Sequence, residues 1–471
     1  VPSFRRISAH RISKEPFKLE STILIGPTLI GCPAMEVSEE LRRELTALKL
    51  ENARLRRQLE GKEASENKYP LSLEEYKRYG RQMIVEETGG TLGQVKLRNS
   101  RVLVVGAGGL GSPVLPYLAG AGVGHIGIVD NDVVDTSNLH RQVLHDSESV
   151  GTLKCESAKR ALNRLNPLVE VITYPVRLSN TNAFEIFRSY DYILDCTDTP
   201  LTRYLISDVA VNLGITVVSA SGLGTEGQLC ILNFKKLGPC YRCFYPKPPT
   251  PTSVTSCQEG GVVGPCIGLV GVMMAVETLK LIYGVYTEDN FQPFLTTYSG
   301  FPNQSMRTFK MRGRQDNCAC CGLSPIVTKD AIESGTINYQ NFCGSRSYDC
   351  CSLDERISVE LFEDQYKNRE PSSYILLDVR PHHHYDISHI PQAYNLTVKE
   401  LRDMDGELTK IQKHIPKINK DSEVVVMCRY GNDSRLATRL LKDQFGISNV
   451  KDVTGGLFRY IDRIDPSIPK Y

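Results

Sequence analysis

The feature that most constrains the fold is a strand-like run that leads directly into a glycine-rich turn. Residues 101–105 have the sequence RVLVV, residues 106–111 have the sequence GAGGLG, and an apolar, helix-like stretch follows from Ser112. The first glycine of such a turn permits tight bending, the second lets the backbone approach phosphate, and the third lets helix and strand pack closely. The helix N-terminus then faces the negative charge of a nucleotide. The predicted contacts are Gly106, Gly108, Gly109 and Gly111.

Polar residues beyond this turn indicate which nucleotide it binds. A second strand-like run, residues 125–129, ends at Asp130, where a ribose-binding carboxylate is expected. The turn alone is equally typical of an NAD-dependent dehydrogenase, which is one alternative. Cations at Arg141 and Lys154 instead suit a triphosphate, because they neutralise charge as pyrophosphate leaves, and Asp198 suits Mg²⁺. We therefore predict a Rossmann-like α/β domain that binds ATP with transient Mg²⁺.

Four motifs carry a family resemblance: residues 79–82 (YGRQ), 106–111, 137–142 (SNLHRQ) and 195–198 (DCTD). They resemble the ubiquitin-activating-type adenylation domain shared with bacterial molybdopterin- and thiamine-synthesis adenylyltransferases. The resemblance implies a homodimer in which Arg81 reaches the nucleotide of the other subunit. Thr199 stands where the family usually has Asn after Asp198. This difference affects an expected nucleotide or metal contact and leaves the Asp198 carboxylate in place. The further nucleotide contacts that the resemblance implies are Ser137, Asn138, Leu139, His140, Arg141, Lys154, Asp198 and Thr199.

Two Cys-x-x-Cys pairs predict a metal site in the same domain. Residues 240–243 have the sequence CYRC and residues 318–321 have the sequence CACC. Four thiolates suit one tetrahedral Zn²⁺ and leave no open position for water, so the metal is predicted to be structural. Cys320 is a spare thiol beside Cys321. The predicted ligands are Cys240, Cys243, Cys318 and Cys321.

Other cysteines take their predicted roles from the resemblance. Cys257 follows a Pro-rich loop and matches the thiol that approaches the activated carboxyl end of a ubiquitin-like protein, which implies a thioester. An exposed cysteine without a catalytic role is the alternative, because the neighbouring sequence offers no base or cation. The spacing of Cys343 and Cys351 resembles a pair that forms a disulfide in longer family members, with Cys350 leaving the partner open.

A second reactive site is predicted near the carboxyl end of the chain. The apolar residues 424–427 end at Cys428, and the loop 428–433 (CRYGND) precedes a helix-like stretch, residues 434–445. Loop amides and the helix N-terminus stabilise an anion on sulfur, and we expect nearby arginines to lower the thiol pKa. The loop is too polar to be buried, which argues against a core cysteine. The predicted loop residues are Arg429, Tyr430, Gly431, Asn432 and Asp433, with Arg435 as a further cation.

A phosphatase is the rival interpretation of this loop. It would need an arginine six positions after the cysteine, where Ser434 stands, so the spacing favours sulfur transfer. Residues 376–380 (LLDVR), 389–393 (HIPQA) and 453–457 (VTGGL) resemble the rhodanese family. That resemblance implies that Cys428 carries a persulfide.

Length and composition set the wider frame. The chain has 471 residues, a net charge of +2 and fifteen cysteines. The balanced charge gives no reason to expect a nucleic-acid or membrane partner. We find no apolar run approaching the roughly 18 residues of a membrane helix. Clustered cysteines indicate a reducing compartment, by default the cytoplasm.

The segment before residue 70 differs from the rest. Leu41, Leu48 and Leu55 repeat by seven, and Asn52 lies in the interleaved series, which predicts a short parallel coiled coil, with a solvated helix as the alternative. The predicted organisation is an extension of uncertain role at 1–34, a helix at 35–66, an adenylation domain at 70–335, a linker at 336–352 and a rhodanese domain at 353–471.

This combination of domains resembles the molybdenum cofactor synthesis protein 3 family. The resemblance implies adenylation of the C-terminal glycine of a ubiquitin-like sulfur carrier ending in Gly-Gly, followed by persulfide transfer that yields its thiocarboxylate. It further implies a cysteine desulfurase or another sulfur donor as a partner. The products would serve tRNA wobble-uridine 2-thiolation, molybdopterin synthesis or both, with conjugation of the carrier to proteins as an added output. A non-catalytic scaffold is the remaining alternative.

Overall fold

Two sheets built largely of parallel strands organise the chain. A computed structural model describes residues 69–250, 260–344, 350–366, 369–370 and 373–471. Cys257, the extension at 1–34 and the predicted coiled coil at 35–66 lie outside these described residues. The predicted α/β architecture, with a Rossmann-like part and a second, smaller part, is confirmed.

The first sheet has the strand order β3-β2-β1-β4-β5-β6-β7-β8. Strands β1 to β5 pair in parallel, whereas β5 to β8 form an antiparallel extension that the sequence analysis did not predict. The strands are β1 Arg101–Val105, β2 His125–Val129, β3 Glu170–Tyr174, β4 Tyr192–Asp195, β5 Thr216–Leu223, β6 Glu226–Leu232, β7 Phe294–Ser299 and β8 Ser305–Lys310. The carboxyl ends of β1, β2 and β4 meet at one edge, where a nucleotide binds in such sheets.

Helices cover both faces of this sheet. Parallel neighbours in this sheet are joined by crossover segments that contain helices, as parallel pairing requires. The helices are α1 Leu73–Met83, α2 Gly90–Asn99, α3 Gly111–Ala121, α4 Lys154–Leu165, α5 Ala183–Phe187, α6 Pro200–Leu213, α7 Tyr241–Phe244, α8 Gly264–Tyr283, α9 Lys329–Glu333 and α10 Tyr339–Cys343. Helix α10 lies in the segment predicted as a linker, and Tyr339 is buried in the core of the first sheet.

Helix α8 corrects the prediction about membrane-length segments. Its 20 residues are long and apolar enough to cross a membrane by length and composition alone. Half of its most apolar window is buried inside the protein, and Val270 and Met274 belong to the main core cluster. The helix packs against α3, β5 and β6. Such an apolar sequence is what a helix at the centre of a core needs.

The second sheet contains five parallel strands in the order β11-β10-β12-β13-β9. Its strands are β9 Arg356–Ile357, β10 Ile375–Asp378, β11 Tyr394–Asn395, β12 Val424–Met427 and β13 Val450–Val453. The helices of this part are α11 Val359–Tyr366, α12 His382–Ile387, α13 Val398–Asp403, α14 Leu408–Gln412, α15 Asp433–Asp443 and α16 Gly456–Arg463. All four residues of β12 are buried, which places the end of this strand at the centre of the sheet.

Candidate active sites

Two glycines of the turn after β1 are packed too tightly for a side chain. Gly106 has φ +99°, and a Cβ atom there would lie 2.9 Å from the carbonyl oxygen of Cys196. A Cβ atom on Gly111 would lie 2.0 Å from the carbonyl oxygen of Gly106. The Gly106 N–H donates to the Val129 carbonyl at 2.9 Å, which ties the turn to β2. The glycines of this turn therefore present only backbone atoms to whatever binds above them.

A cavity of about 1090 Å³ opens at this turn and extends over β5 to β8. The predicted nucleotide residues on its wall are Gly106, Gly108, Gly109, Asp130, Asn138, Arg141, Lys154, Asp198 and Thr199. Gly111, Ser137, Leu139 and His140 are close in sequence to lining residues but do not line it. Arg81 is exposed on α1 and does not line the cavity either.

Asp130 is fixed by the turn itself. Its carboxylate accepts hydrogen bonds from the backbone N–H groups of Ala107 and Asp132, both at 2.8 Å. Burial raises the pKa of Asp130, while the Lys154 ammonium and these hydrogen bonds oppose that rise. Lys154 is itself buried and forms an ion pair with Asp132 at 2.9 Å. A cation and a carboxylate are thus held in place on the cavity wall before any ligand enters.

Arg141 is positioned by its own motif. Its guanidinium donates to the Asn138 side-chain oxygen at 2.7 Å and to the Ser137 carbonyl at 3.0 Å. Burial and the Arg141 charge lower the pKa of His140, whose Nε2 lies 2.8 Å from the guanidinium. Ser137 and His140 therefore support Arg141 from outside the cavity.

Asp198 and Thr199 lie at the carboxyl end of β4. Asp198 is exposed on the cavity wall. The Thr199 hydroxyl accepts a hydrogen bond from the Thr202 N–H at 3.4 Å, so Thr199 is the N-cap of α6. Threonine is a good N-cap residue, which gives it a local structural role at the position where the family usually has Asn.

Several polar residues at or behind this site were not among the predicted contacts, among them Arg203, His145 and Gln142. Buried Arg203 lines the cavity and donates to the carbonyls of Thr197 and Ala220, at 2.6 and 2.8 Å. Buried His145 lies 3.2 Å from the Ala107 carbonyl, behind the turn. The Gln142 side-chain oxygen is buried at the cavity and has no hydrogen-bond partner among the described residues. Gln142 follows Arg141 in the quoted motif, which was the available signal.

The four predicted metal ligands come together in one cluster. Their sulfur atoms all lie within 4.8 Å of one another. Cys240 is 3.8 Å from Cys243 and 3.5 Å from Cys318, and Cys243 is 3.3 Å from Cys321. Zn–S bonds of about 2.3 Å in a tetrahedron place sulfurs about 3.8 Å apart, so the cluster fits a zinc ion. The Cys320 sulfur instead lies 4.0 Å from the Asp208 carbonyl oxygen, outside the cluster.

A buried ion pair supports this cluster from behind. Arg242, between the first two cysteines, donates to the Asp208 carboxylate at 2.8 to 3.0 Å, and both side chains are buried. The Tyr339 hydroxyl donates to the same carboxylate at 3.0 Å, and the Phe342 ring stacks on the guanidinium at 4.4 Å. Helix α10 therefore helps to hold the cysteine cluster in place.

The predicted disulfide is not formed in this structure. Neither Cys343 nor Cys351 takes part in a disulfide. Cys343 packs among the residues of the first sheet's core, whereas the Cys351 sulfur lies 3.4 Å from the Arg435 carbonyl oxygen beside the second sheet.

Cys428 lies in a cradle at the end of β12. The Gly431 N–H donates to its sulfur at 3.1 Å, and the sulfur lies 3.5 Å from the Ser434 hydroxyl oxygen. From the other side, the Leu457 N–H donates to the Cys428 carbonyl at 2.8 Å. The side chain is 2% exposed, so the expectation that this polar loop is too polar to bury its cysteine is wrong. The first turn of α16 covers it.

The expected lowering of the Cys428 pKa is also wrong for this structure. Burial raises the pKa of the thiol, and the hydrogen bond to Ser434 opposes that rise. The Arg429 guanidinium turns toward the carbonyl oxygen of Tyr471 and lies 4.5 and 4.7 Å from the rings of Phe458 and Tyr471. The guanidinium of Arg429 therefore lies against a cluster of aromatic rings.

The rhodanese-like motif LLDVR forms an internal brace. Asp378 at the end of β10 forms a buried ion pair with Arg380. Arg380 also donates to the Tyr471 hydroxyl at 2.8 Å and to the Ser388 carbonyl at 2.7 Å. Tyr471 thus connects this motif to the loop after Cys428 through Arg429.

Comparisons with known proteins find matches to two protein families. Residues 79–320 match the ThiF family, and residues 361–462 match the Rhodanese-like domain. The adenylyltransferase and sulfurtransferase UBA4 of Saccharomyces cerevisiae is 70% identical over 434 residues, covering 92% of this chain and 99% of the relative. The enzyme of the same name from Vanderwaltozyma polyspora is 65% identical over 437 residues, covering 93% and 100%.

A solved structure, E. coli MccB, is 22% identical with a TM-score of 0.47, covering 55% of this chain and 76% of that one. The two named yeast relatives are transferases, in agreement with the predicted activity and against the dehydrogenase and scaffold alternatives. The chain therefore belongs to the ThiF family and is an adenylyltransferase and sulfurtransferase with a rhodanese-like domain.

Proposed function

We propose that the enzyme adenylates the C-terminal glycine of a ubiquitin-like sulfur carrier ending in Gly-Gly and then converts it to a thiocarboxylate. In the first step a carboxylate oxygen of the carrier attacks the α-phosphorus of ATP, and pyrophosphate leaves. The observation that carries this proposal is that one chain holds both a glycine-turn cavity and a cysteine cradle. A narrow Gly-Gly end suits the part of the cavity that extends over β5 to β8.

Different residues of the cavity contribute to different parts of this first step. Backbone groups at Gly106, Gly108 and Gly109 approach the phosphates without steric hindrance from side chains. Arg141 and Lys154 neutralise the charge that develops on the leaving pyrophosphate. The exposed Asp198 carboxylate is a suitable oxygen ligand for Mg²⁺, which when bound screens the phosphate charge.

Sulfur transfer uses the second site. In this proposal Cys257 displaces AMP from the acyl-adenylate and holds the acyl group as a thioester. The outer sulfur of the Cys428 persulfide attacks the thioester carbonyl, and the Cys257 thiolate leaves. That thiolate then attacks the Cys428 sulfur, so the S–S bond to the acyl sulfur breaks and the carrier leaves as a thiocarboxylate, and a thiol reductant reduces the resulting Cys257–Cys428 disulfide. The Gly431 N–H already donates to the Cys428 sulfur and would stabilise negative charge there. A cysteine desulfurase or another donor loads Cys428. Tethering both sites in one chain raises the effective concentration of the persulfide for the activated carrier.

We expect a purified Gly-Gly-ended ubiquitin-like carrier to exchange one oxygen for sulfur when incubated with the enzyme, ATP, Mg²⁺ and a sulfur donor. Cys428→Ala should abolish this exchange while leaving ATP-dependent pyrophosphate release unchanged, because the two sites lie on separate sheets. Intact mass of the carrier and a pyrophosphate assay measure the two outcomes.

A matched control is Cys230→Ala, which removes a cysteine of the first sheet that does not belong to the metal cluster or the cavity wall. If the exchange of oxygen for sulfur persists in Cys428→Ala, Cys428 does not carry the transferred sulfur. If the wild-type enzyme releases no pyrophosphate in the presence of ATP and the carrier, it does not adenylate the carrier.

The cysteine cluster supports a structural zinc ion. Purified enzyme should contain about one zinc per chain, and Cys321→Ser should lose it and unfold at a lower temperature, because the cluster connects distant segments. Cys320→Ser is the control, since that neighbouring thiol is equally buried but lies outside the cluster. Metal analysis and thermal unfolding test this proposal, and equal zinc loss in both variants would contradict the ligand set.

The remaining proposals concern assembly and cellular role. A homodimer is supported by the leucine repeat in residues 35–66, and it would let the exposed Arg81 serve the partner subunit's nucleotide. We retain the predicted rhodanese domain at 353–471 and a cytoplasmic location, and we extend the adenylation domain predicted at 70–335 to include α10, because Tyr339 is buried in the core of the first sheet. The thiocarboxylate would serve tRNA wobble-uridine 2-thiolation, molybdopterin synthesis or both, and the activated carrier would also be conjugated to proteins.

A further inference from the structure

The Cys428 sulfur has a side-chain neighbour that the proposed function does not use. The Ser434 hydroxyl oxygen lies 3.5 Å from the sulfur, in the first turn of α15. The side chain of Ser434 is fully buried. Its hydroxyl is therefore shielded from water and directed to the atom that reacts.

Behind Ser434 lies a buried carboxylate. The Ser434 hydroxyl donates to Asp452 Oδ2 at 3.3 Å, and Asp452 on β13 is fully buried. Arg356 on β9 donates to the same carboxylate, with Nε at 2.8 Å from Oδ1 and Nη2 at 3.3 Å from Oδ2. The two residues are direct partners in the β13–β9 pairing. A buried carboxylate requires such a partner, and Arg356 supplies it.

The direction of the hydrogen bonds among Cys428, Ser434 and Asp452 depends on whether Cys428 is protonated. In the thiol form the S–H donates to Ser434, whose single O–H donates to Asp452. When sulfur is ionised, rotation of the same O–H lets it donate to the thiolate. Arg356 then still holds the Asp452 carboxylate. The Ser434 hydroxyl therefore donates to Asp452 when Cys428 is a thiol, and to the Cys428 sulfur when it is a thiolate.

Other charged groups around the sulfur do not replace this hydroxyl. The Asp433 carboxylate raises the pKa of Cys428, as does burial. Arg429 turns toward Tyr471, and Asp378 pairs with Arg380 at the end of β10. Arg435 follows Ser434 on α15, and its charge is not among the main influences on the thiol.

We propose that Ser434 is a catalytic residue of sulfur transfer, whose hydroxyl stabilises the Cys428 thiolate, and that Asp452 and Arg356 are positioning residues. This inference rests on the proposed persulfide role of Cys428. The thiolate attacks the outer sulfur of a donor persulfide, R–S–SH, and forms the Cys428–S–SH bond. The donor S–S bond breaks, and R–S⁻ leaves with the electron pair. No net oxidation occurs, and the leaving thiolate takes a proton from water.

The test is the pH profile of iodoacetamide labelling of Cys428 in the full chain, resolved by mass spectrometry of the Cys428 peptide. Ser434→Ala should raise the labelling midpoint by about one pH unit and slow persulfide loading about tenfold, the size of one hydrogen bond to a charged group. Ser434→Thr keeps a hydroxyl and should restore most of the loading.

Asp452→Asn should move the midpoint the other way. The amide nitrogen that replaces Oδ2 would donate to Ser434 and leave its O–H for the thiolate. Thr438→Val is the matched control, because this fully buried threonine lies one turn further along α15 and its hydroxyl has no hydrogen-bond partner among the described residues. It should leave the midpoint unchanged.

An unchanged midpoint in folded Ser434→Ala, or upward shifts in both Ser434→Ala and Asp452→Asn, would overturn the proposal. If Ser434→Ala does not fold, Asp452→Asn and Ser434→Thr still decide between these results. Failure of wild-type Cys428 to accept sulfur would instead count against the proposed function. Normal wild-type loading with no effect of Ser434→Ala would count against this inference alone.

Discussion

Replacing Gly111 with alanine is expected to reduce ATP-dependent pyrophosphate release by at least about 100-fold. The added Cβ atom would lie 2.0 Å from the carbonyl oxygen of Gly106, a backbone atom of the turn itself. The turn must therefore shift by a large fraction of an ångström or more, and the backbone at Gly108 and Gly109 moves with it. A displacement of about 1 Å in a phosphate-positioning group costs about two orders of magnitude in rate.

Gly120→Ala is the matched control, since Gly120 lies in the same helix, α3, and a Cβ atom there meets nothing within 4 Å. This variant should keep full activity and gain about 0.5–1 kcal/mol of stability, because alanine favours a helix over glycine. Circular dichroism and persulfide loading of Cys428 check that Gly111→Ala remains folded. A folded Gly111→Ala enzyme with normal pyrophosphate release would show that phosphate does not bind at this turn.

Local motifs account for the parts of the fold that the sequence predicted. The run at 101–105, the turn at 106–111 and the run at 125–129 became β1, the glycine turn and β2, because tight turns and buried strands are determined by short stretches of chain. The two Cys-x-x-Cys pairs came together for a related reason. Their chemistry requires four sulfurs at one point, whatever the length of chain between them.

Contacts between distant segments account for what was missed. Arg203 and Arg242 appear as ordinary charged residues in the sequence, yet both are buried. Their charges are satisfied by carbonyl groups (Arg203) or by a carboxylate (Arg242) from other elements of the fold. The burial of Cys428 depends on the start of α16, whose Leu457 N–H binds the Cys428 carbonyl. Nothing within residues 428–433 reveals that cover. The pairing of β6 with β7 likewise joins two segments that lie far apart in the sequence.

Gly456→Ala is expected to reduce persulfide loading of Cys428 by about 100-fold while leaving pyrophosphate release unchanged. Gly456 has φ +61°, and a Cβ atom there would lie 2.3 Å from the Cys428 carbonyl oxygen and 2.8 Å from the Gly431 nitrogen. That nitrogen donates to the reactive sulfur at 3.1 Å. The collision therefore acts directly on the group that stabilises charge on sulfur.

The control for backbone strain is Gly446→Ala. Gly446 has φ +68°, nearly the same conformation, but the nearest atom to an added Cβ is the Lys420 Cε at 3.8 Å. Both variants bear the cost of about 1–2 kcal/mol for a left-handed alanine, and Gly456→Ala alone collides with the loop. Sulfane-sulfur loading of Cys428 from a donor separates the two. Equal losses in both variants would assign the effect to strain in the second sheet's domain, whereas a loss confined to Gly456→Ala would show that the geometry of the cradle determines sulfur transfer.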